Sequence, residues 1–359
     1  MSGRRRYVIL ADGEFADRSA KTAHGVIAYG NDDVVAVIDA THAGKRVRDV
    51  VPTLNSDAPI VAGFDAALPL APTALLVGVA PPGGALPRAW RATIAAALEA
   101  GLEVVSGLHQ ILGEDAQFAQ AAARGGGTIR DVRLPPEVPL FSGEAYGVEA
   151  RVVLLVGTDC AVGKMTAALE LTRSALIHGE NARFVATGQT GIMIAGSGIA
   201  IDRVIADFAT GAAERLVVEH APGADVLFVE GQGGINNPAY APVTLALLFG
   251  AAPDALVLVH RPTRTAVDGL NTPLLSYRTA IRTYEALCAG VKPALVAGIA
   301  LNTAGLDDAT AREEIERARI ETGLPADDVV RFGPDELYAA MAPAFARKRA
   351  PLAQPALRR

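Results

Sequence analysis

An apolar run, RVVLLV, passes at residue 157 straight into GTDCAVGKMT and then into MTAALELTRSALIHG, whose apolar spacing is close to 3.6. Strand, glycine-bounded turn, lysine and helix in that order leave few folds open. A parallel strand needs a crossover, and the crossover helix starts where glycines let successive backbone N–H groups converge on one point. The pattern predicts a phosphate loop in a parallel α/β sheet. It departs from the strict G-x-x-x-x-G-K-[ST] form, because five residues separate Gly157 from Gly163, Met165 follows Lys164, and the hydroxyl comes one place later as Thr166. The physics survives the departure. Gly157 and Gly163 reach backbone conformations closed to other residues, and the helix start adds its positive end. Lys164 adds a full charge. Thr158, Cys160, Ala161, Val162 and Met165 complete the lining, and Asp159 and Thr166 are candidate metal contacts. Cys160 is either a thiol of lowered pKa at a helix start or a small packing residue.

The rest of the chain repeats the alternation. YVILA (7–11), VVAVID (34–39), PIVAG (59–63), TALLVGVA (73–80) and EVVSG (103–107) read as strands. Residues 19–29, PRAWRATIAAALEAG and DAQFAQAAARGG read as helices, with PPGG (81–84) as a loop and TIRDVRLP closing the unit. Residues 134–148, LPPEVPLFSGEAYGV, are rich in Pro and Gly and mark a boundary. Beyond it FVATG, DVLFVEG, ALVLVH and ALVAGIALN read as strands, and TLALLFG and DDATAREEIERARIETG as helices. The expectation is an α/β chain: an N-terminal Rossmann-like domain over 1–140, a C-terminal P-loop NTPase-like domain over 141–345 and a basic tail over 346–359.

Composition narrows the function. Half of the 359 residues are apolar and the net charge is −6, so nothing global points to nucleic acid or a membrane surface. Two cysteines, Cys160 and Cys288, make neither a disulfide framework nor a metal cluster. No apolar run approaches the ~20 residues that cross a bilayer. The first strand follows RRR too soon for a signal peptide. The basic runs at 4–6 and 347–359 read as solvated ends. A cytoplasmic enzyme is expected, and its apolar content fits a homo-oligomer.

Further candidates cluster after the strands. In DVLFVEGQGGINNP (225–238) Glu230 ends a buried strand, the place where ligands meet open α/β sheets. It is a candidate catalytic group and Mg²⁺ ligand, with Gln232, Gly233 and Asn236 as substrate contacts. TGQTGIMIAGSG offers Gln189, Thr190 and Ser197 to a carboxylate or phosphate, or is a tight turn without a ligand. Asp202 and Asp207 follow on a helix, and Asp207 is either a general base or a capping carboxylate. HRPTR supplies His260, Arg261 and Arg264, the arginines suited to a two-pronged grip on a carboxylate. SGLH and KTAHG place Ser106, His109, Lys21 and His24 near strand ends.

GTDCAVGK followed by VEGQGG resembles dethiobiotin synthetase and its relatives, which carry GTD-x-x-VGK and VEG-x-GG and use ATP and Mg²⁺ to activate a small carboxylate. The resemblance covers Gly157, Thr158, Asp159, Val162, Gly163, Lys164, Glu230, Gly231, Gly233 and Gly234. It implies that Asn302, in ALNTAG, reads adenine. Met165 stands where that group has threonine. A second resemblance spans almost the whole chain. ATGQTGIMIAGSG, ADFATGAAE, EGQGGINNP, PDALVLVHRPTR and SGLH are similar to the D-glutamate N-acetyltransferase-like family, which has two Rossmann-like domains. That resemblance implies acetyl transfer from acetyl-CoA to the amino group of an acidic amino acid. The basic strand end HRPTR would then suit the 3′-phosphate of CoA.

Three functions follow as expectations. The first is N-acyl transfer from acetyl-CoA to a small amino-acid substrate such as D-glutamate, with Lys164, Glu230, Asp159 and Asp207 as the catalytic set. The second is an ATP- and Mg²⁺-dependent ligase or kinase. The third is a non-catalytic nucleotide-sensing module, ranked last because no DNA-reading helix or effector domain is visible.

Overall fold

The computed structural model describes residues 4–79 and 84–345. The PPGG loop, apart from Gly84, and the basic tail from residue 346 lie outside the described residues. The chain divides into two compact units. One holds the residues up to Pro135 together with Gln189–Ala200; the other holds Pro136–Gly188 and the residues from Ile201 on.

Each unit is built on one parallel six-stranded sheet. The first comprises β1 (Arg6–Leu10), β2 (Asp33–Ile38), β3 (Ile60–Val61), β4 (Ala74–Val77), β5 (Glu103–Ser106) and β6 (Thr128–Asp131), in the order β3-β2-β1-β4-β5-β6. The second comprises β7 (Arg151–Gly157), β8 (Ala182–Val185), β9 (Val226–Val229), β10 (Ala255–His260), β11 (Leu295–Leu301) and β12 (Ala326–Asp327), in the order β12-β11-β10-β7-β9-β8. Every residue of β4, β9 and β10 is buried, as parallel strands covered on both faces require. The second core joins Val153, Leu155, Phe228 and Val257 to Leu171 of helix Lys164–Ile177 and to Tyr338 and Met341 of helix Asp335–Phe345.

Three features depart from the sequence reading or add to it. Arg4–Arg6 are not a loose end. Arg5 pairs with Glu103 at 2.5 Å, Arg6 opens β1 and donates to the Leu70 and Ala71 carbonyls, and Arg4 meets Asp33. A β-strand directly behind the run orders it. The Pro/Gly-rich stretch is docked: Glu214, buried on helix Ala206–His220, accepts from the Ser142 and Ala145 N–H groups. A β-carbon at Gly211 would stand 1.9 Å from the Pro139 carbonyl oxygen. TGQTGIMIAGSG contains a helix, Gln189–Ala195, that belongs to the first unit. Its Thr190 hydroxyl lies 3.0 Å from that of Thr22, and its Gln189 accepts from Arg133 at 2.7 Å. Among the described residues no helix is long and apolar enough to cross a membrane.

Candidate phosphate-loop site

The loop starts from a clamped strand end. The Gly157 carbonyl accepts from the Tyr284 hydroxyl at 2.7 Å, and that hydroxyl accepts from the Ile235 N–H. The chain then turns on Ala161 (φ 52°) and Gly163 (φ 115°) and enters the 14-residue helix Lys164–Ile177. First-turn N–H groups of a helix have no intrahelical acceptor, and the helix dipole adds positive potential there. The VEGQGG segment lies hard against this loop. A β-carbon at Gly231 would stand 1.6 Å from the Leu155 carbonyl oxygen, and one at Gly234 would stand 2.6 Å from the Asp159 Cα. Only glycine permits that approach.

Lys164 and Glu230 are both buried. The Lys164 Nζ donates to the Asp159 carbonyl at 2.8 Å and to the Gly233 carbonyl at 2.7 Å, so it bridges the two glycine-rich segments. Burial brings its ammonium down to about 8. Glu230 Oε2 accepts from the Thr187 and Gly188 N–H groups at 3.0 and 3.1 Å, and the Glu230 carbonyl accepts from the Thr187 hydroxyl. Burial pushes its carboxyl up to about 7, partly offset by those N–H groups. Desolvated groups brought near neutrality mark sites where protons move.

Asp159 is fully buried and ties the loop together. Its carboxylate accepts from Cys160 N–H and Asn237 Nδ2 at 2.8 Å each, from Asp268 N–H at 2.7 Å and from Arg264 at 3.1 Å. Burial alone would raise its pKa, but these donors outweigh it and hold the group below the usual carboxylate range. Arg264 also donates to the Cys160 carbonyl. Arg261, three residues earlier, donates to Thr263. Thr158 is hydrogen-bonded to His260 Nδ1 at 2.9 Å. Burial, with Arg317 and Arg264 nearby, lowers His260 to about 4 and keeps its ring neutral. Burial pushes the Cys160 thiol up to about 11, the reverse of an activated nucleophile.

The structure thus brings Gly157 through Lys164, Glu230, Gln232, Gly233, His260, Arg264 and Asn302 into one bonded cluster. Gln232 donates to Thr187, and the Asn302 amide donates to the Val162 carbonyl. Met165 and Thr166 are half-buried in the first turn of the helix. Asn236 keeps its amide oxygen buried and, among the described residues, without a hydrogen-bond partner; its neighbour Asn237 makes the bond to Asp159. Asp207 is exposed in the first turn of helix Ala206–His220, where a carboxylate suits the helix dipole. Gln189, Thr190, Ser197 and His109 belong to the first unit. There His24 donates to the Phe15 carbonyl and Ser106 accepts from Leu108 N–H.

A magnesium site does not fit the carboxylates named for it. Asp159 already receives four donors and Glu230 Oε2 two. Among the described residues no group of three or more His, Cys, Asp or Glu side chains gathers as a metal cluster. Thr166 adds only a hydroxyl. Reasoning from sequence missed Asn237, Tyr284, Asp268 and the Thr187–Gly188 backbone. Of these only Asn237 carried a signal, as the second asparagine of GINNP.

A parallel sheet whose first strand ends in a glycine-bounded loop with a buried lysine defines a P-loop α/β protein, here with a second Rossmann-like unit. The family model for a P-loop domain of unknown function, DUF1611_C, matches residues 139–338, and that for a Rossmann-like domain, DUF1611_N, matches residues 40–135. The chain belongs to the DUF1611 family. It is 39% identical over 274 residues to a D-glutamate N-acetyltransferase of Tritonibacter scottomollicae, covering 75% of this chain and 80% of that protein. To a D-glutamate N-acetyltransferase of a Pseudoalteromonas species it is 38% identical over 269 residues, covering 74% and 80%. The crystal structure of a DUF1611 family protein from Anabaena variabilis superposes with a TM-score of 0.91 at 39% identity, covering 95% of this chain and all of that one.

Proposed function

We propose that this protein is an N-acetyltransferase that moves an acetyl group from acetyl-CoA to the amino group of an acidic amino acid, with D-glutamate the first substrate to try. The observation that carries the reading is the buried Lys164–Glu230 pair in a glycine cradle, one group brought to about 8 and the other to about 7. The names of the two bacterial relatives support the same reaction class. Acetyl-CoA supplies a thioester and a pyrophosphate. Lys164 and the first turn of helix Lys164–Ile177 hold the pyrophosphate. Glu230 takes a proton from the substrate ammonium, a task suited to a carboxylate tuned to about 7. The freed amine attacks the thioester carbonyl, backbone N–H groups hold the oxyanion, and the carbon–sulfur bond breaks. Glu230 returns its proton to the departing thiolate, and the second ammonium proton, left on the new amide nitrogen, passes to water. Both proposed substrates place the enzyme in the cytoplasm.

An ATP-dependent ligase or kinase is the second reading. The Lys164 helix start favours it, and the poor fit of Asp159 and Glu230 to magnesium weighs against it. Calorimetric titration with acetyl-CoA and separately with Mg·ATP, followed by an assay of thiol release with D-glutamate, L-glutamate and D-aspartate, decides. Binding of acetyl-CoA with amine-dependent thiol release is the expected result. No release with any acidic amino acid would sink the acetyltransferase reading, and tight ATP binding that needs Mg²⁺ would replace it with the second.

A further inference from the structure

The turn that follows β11 is fastened more heavily than a surface turn needs. Thr303 is fully buried, and its N–H and hydroxyl both donate to Asp328 Oδ2, at 2.8 and 2.5 Å. The other Asp328 oxygen accepts from the Val330 and Arg331 N–H groups at 3.0 Å each. The Arg331 guanidinium returns to the same turn, donating to the Thr303 carbonyl at 3.2 Å and the Leu306 carbonyl at 2.8 Å, and it is held by Asp308 at 2.6 Å. Leu306 N–H closes the turn on the Thr303 carbonyl.

The residue this turn presents is Asn302. Its amide oxygen accepts from Ala304 N–H inside the turn, which fixes which way the amide faces. Its nitrogen donates to the Val162 carbonyl at 3.2 Å. In a trans peptide the C=O and the following N–H point in opposite directions. Holding the Val162 carbonyl against Asn302 therefore turns the Gly163 N–H the other way, and holds the peptide entering Gly163, whose φ is 115°. N–H groups aimed in this way are what an anion nest is made of.

We propose that Thr303, Asp328 and Arg331 are positioning residues for the phosphate loop, acting through Asn302 to aim the Gly163 N–H at a bound diphosphate. The proposal rests on the reading that the loop holds the pyrophosphate of the acyl donor. Thr303 has no exposed surface, so any effect of its substitution on ligand binding is transmitted.

The test titrates inorganic pyrophosphate, and separately CoA, into wild type, Thr303→Val, Thr303→Ser and Arg331→Met at one ionic strength. Thr303→Val and Arg331→Met are expected to weaken both probes about tenfold, roughly 1.4 kcal/mol, whereas Thr303→Ser stays within about twofold. The KM for the acyl donor should rise in parallel while that for the amine does not move. If Thr303→Val does not fold, Asn302→Ala, which removes the contact to Val162 together with the acceptor for Ala304 N–H, carries the same expectation. Folded variants that bind both probes as wild type does, with only a lowered melting temperature, would overturn the proposal and leave the loop reading intact. Wild-type protein that binds neither pyrophosphate nor CoA at millimolar concentration would remove both.

Discussion

After β1 the chain reads ADGEF; after β7 it reads GTDCAVGKMT. Both strands lie inside their sheets, with neighbours reached in opposite directions, which is the switch point where open α/β sheets take ligands. The first turn is filled by the protein itself. Phe15 is buried, the Gly13 N–H is taken by Asp39 at 3.1 Å, and the Ala40 N–H by Asp12 at 2.8 Å. Asp39 is further held by His42 at 2.8 Å. The second turn has glycine at its narrow points and leaves a helix start behind it. Topology supplies a crevice in both cases, and residue identity decides whether backbone donors remain for an anion.

That contrast can be broken or sharpened by experiment. The largest effect is expected for Lys164→Met, which should cost on the order of 10²–10³ in kcat/KM for acetyl transfer. Asp39→Asn, at the filled switch point, should leave the rate within about twofold, because that turn touches no substrate in the proposed chemistry. An equal loss in both would erase the distinction. Next comes packing. Gly231→Ala should destabilise by about 3 kcal/mol or more in denaturant unfolding, because the new methyl meets a carbonyl of β7. Gly13→Ala has open space and a φ of 76°, so only the left-handed backbone cost of about 1–2 kcal/mol applies. The pH profile is a subtler test. Glu230 must be ionised to accept a proton, so activity should rise through about pH 7. Lys164 must be charged to hold phosphate, so activity should fall above about pH 8. A narrow bell in kcat/KM is expected, and Glu230→Gln should flatten its acid limb. The smallest effect is expected for Cys160→Ser. A thiol raised to about 11 should resist alkylation at pH 8, and the variant should keep its rate within about twofold.

Much of the second sheet was legible because β7, β9, β10 and β11 are unbroken apolar runs that end in polar or glycine-rich turns. The loop, Lys164 and Glu230 stand in short-range patterns, whereas Asn302 entered through the family resemblance alone. What could not be read depends on partners far away in sequence. Tyr284 clamps a carbonyl 127 residues distant, and no local pattern marks it. Helix Gln189–Ala195 has only seven residues, one of them glycine, and glycines flank it on both sides. So short a helix does not hold by itself in water; it is fixed by its buried Ile192, Met193 and Ile194 and by Arg133 and Thr22. Asn236 and Asn237 are adjacent and alike in sequence, and only tertiary geometry selects the second as the brace of Asp159.

The chain passes from one unit to the other at three places: after Pro135, after Gly188 and after Ala200. No single cut therefore yields two self-sufficient halves. A fragment ended near residue 140 would keep six strands but lose a helix encoded some fifty residues further on. Thr22, Gly107 and Arg133 would then face solvent where that helix had been. The first unit is completed only by chain encoded inside the span of the second.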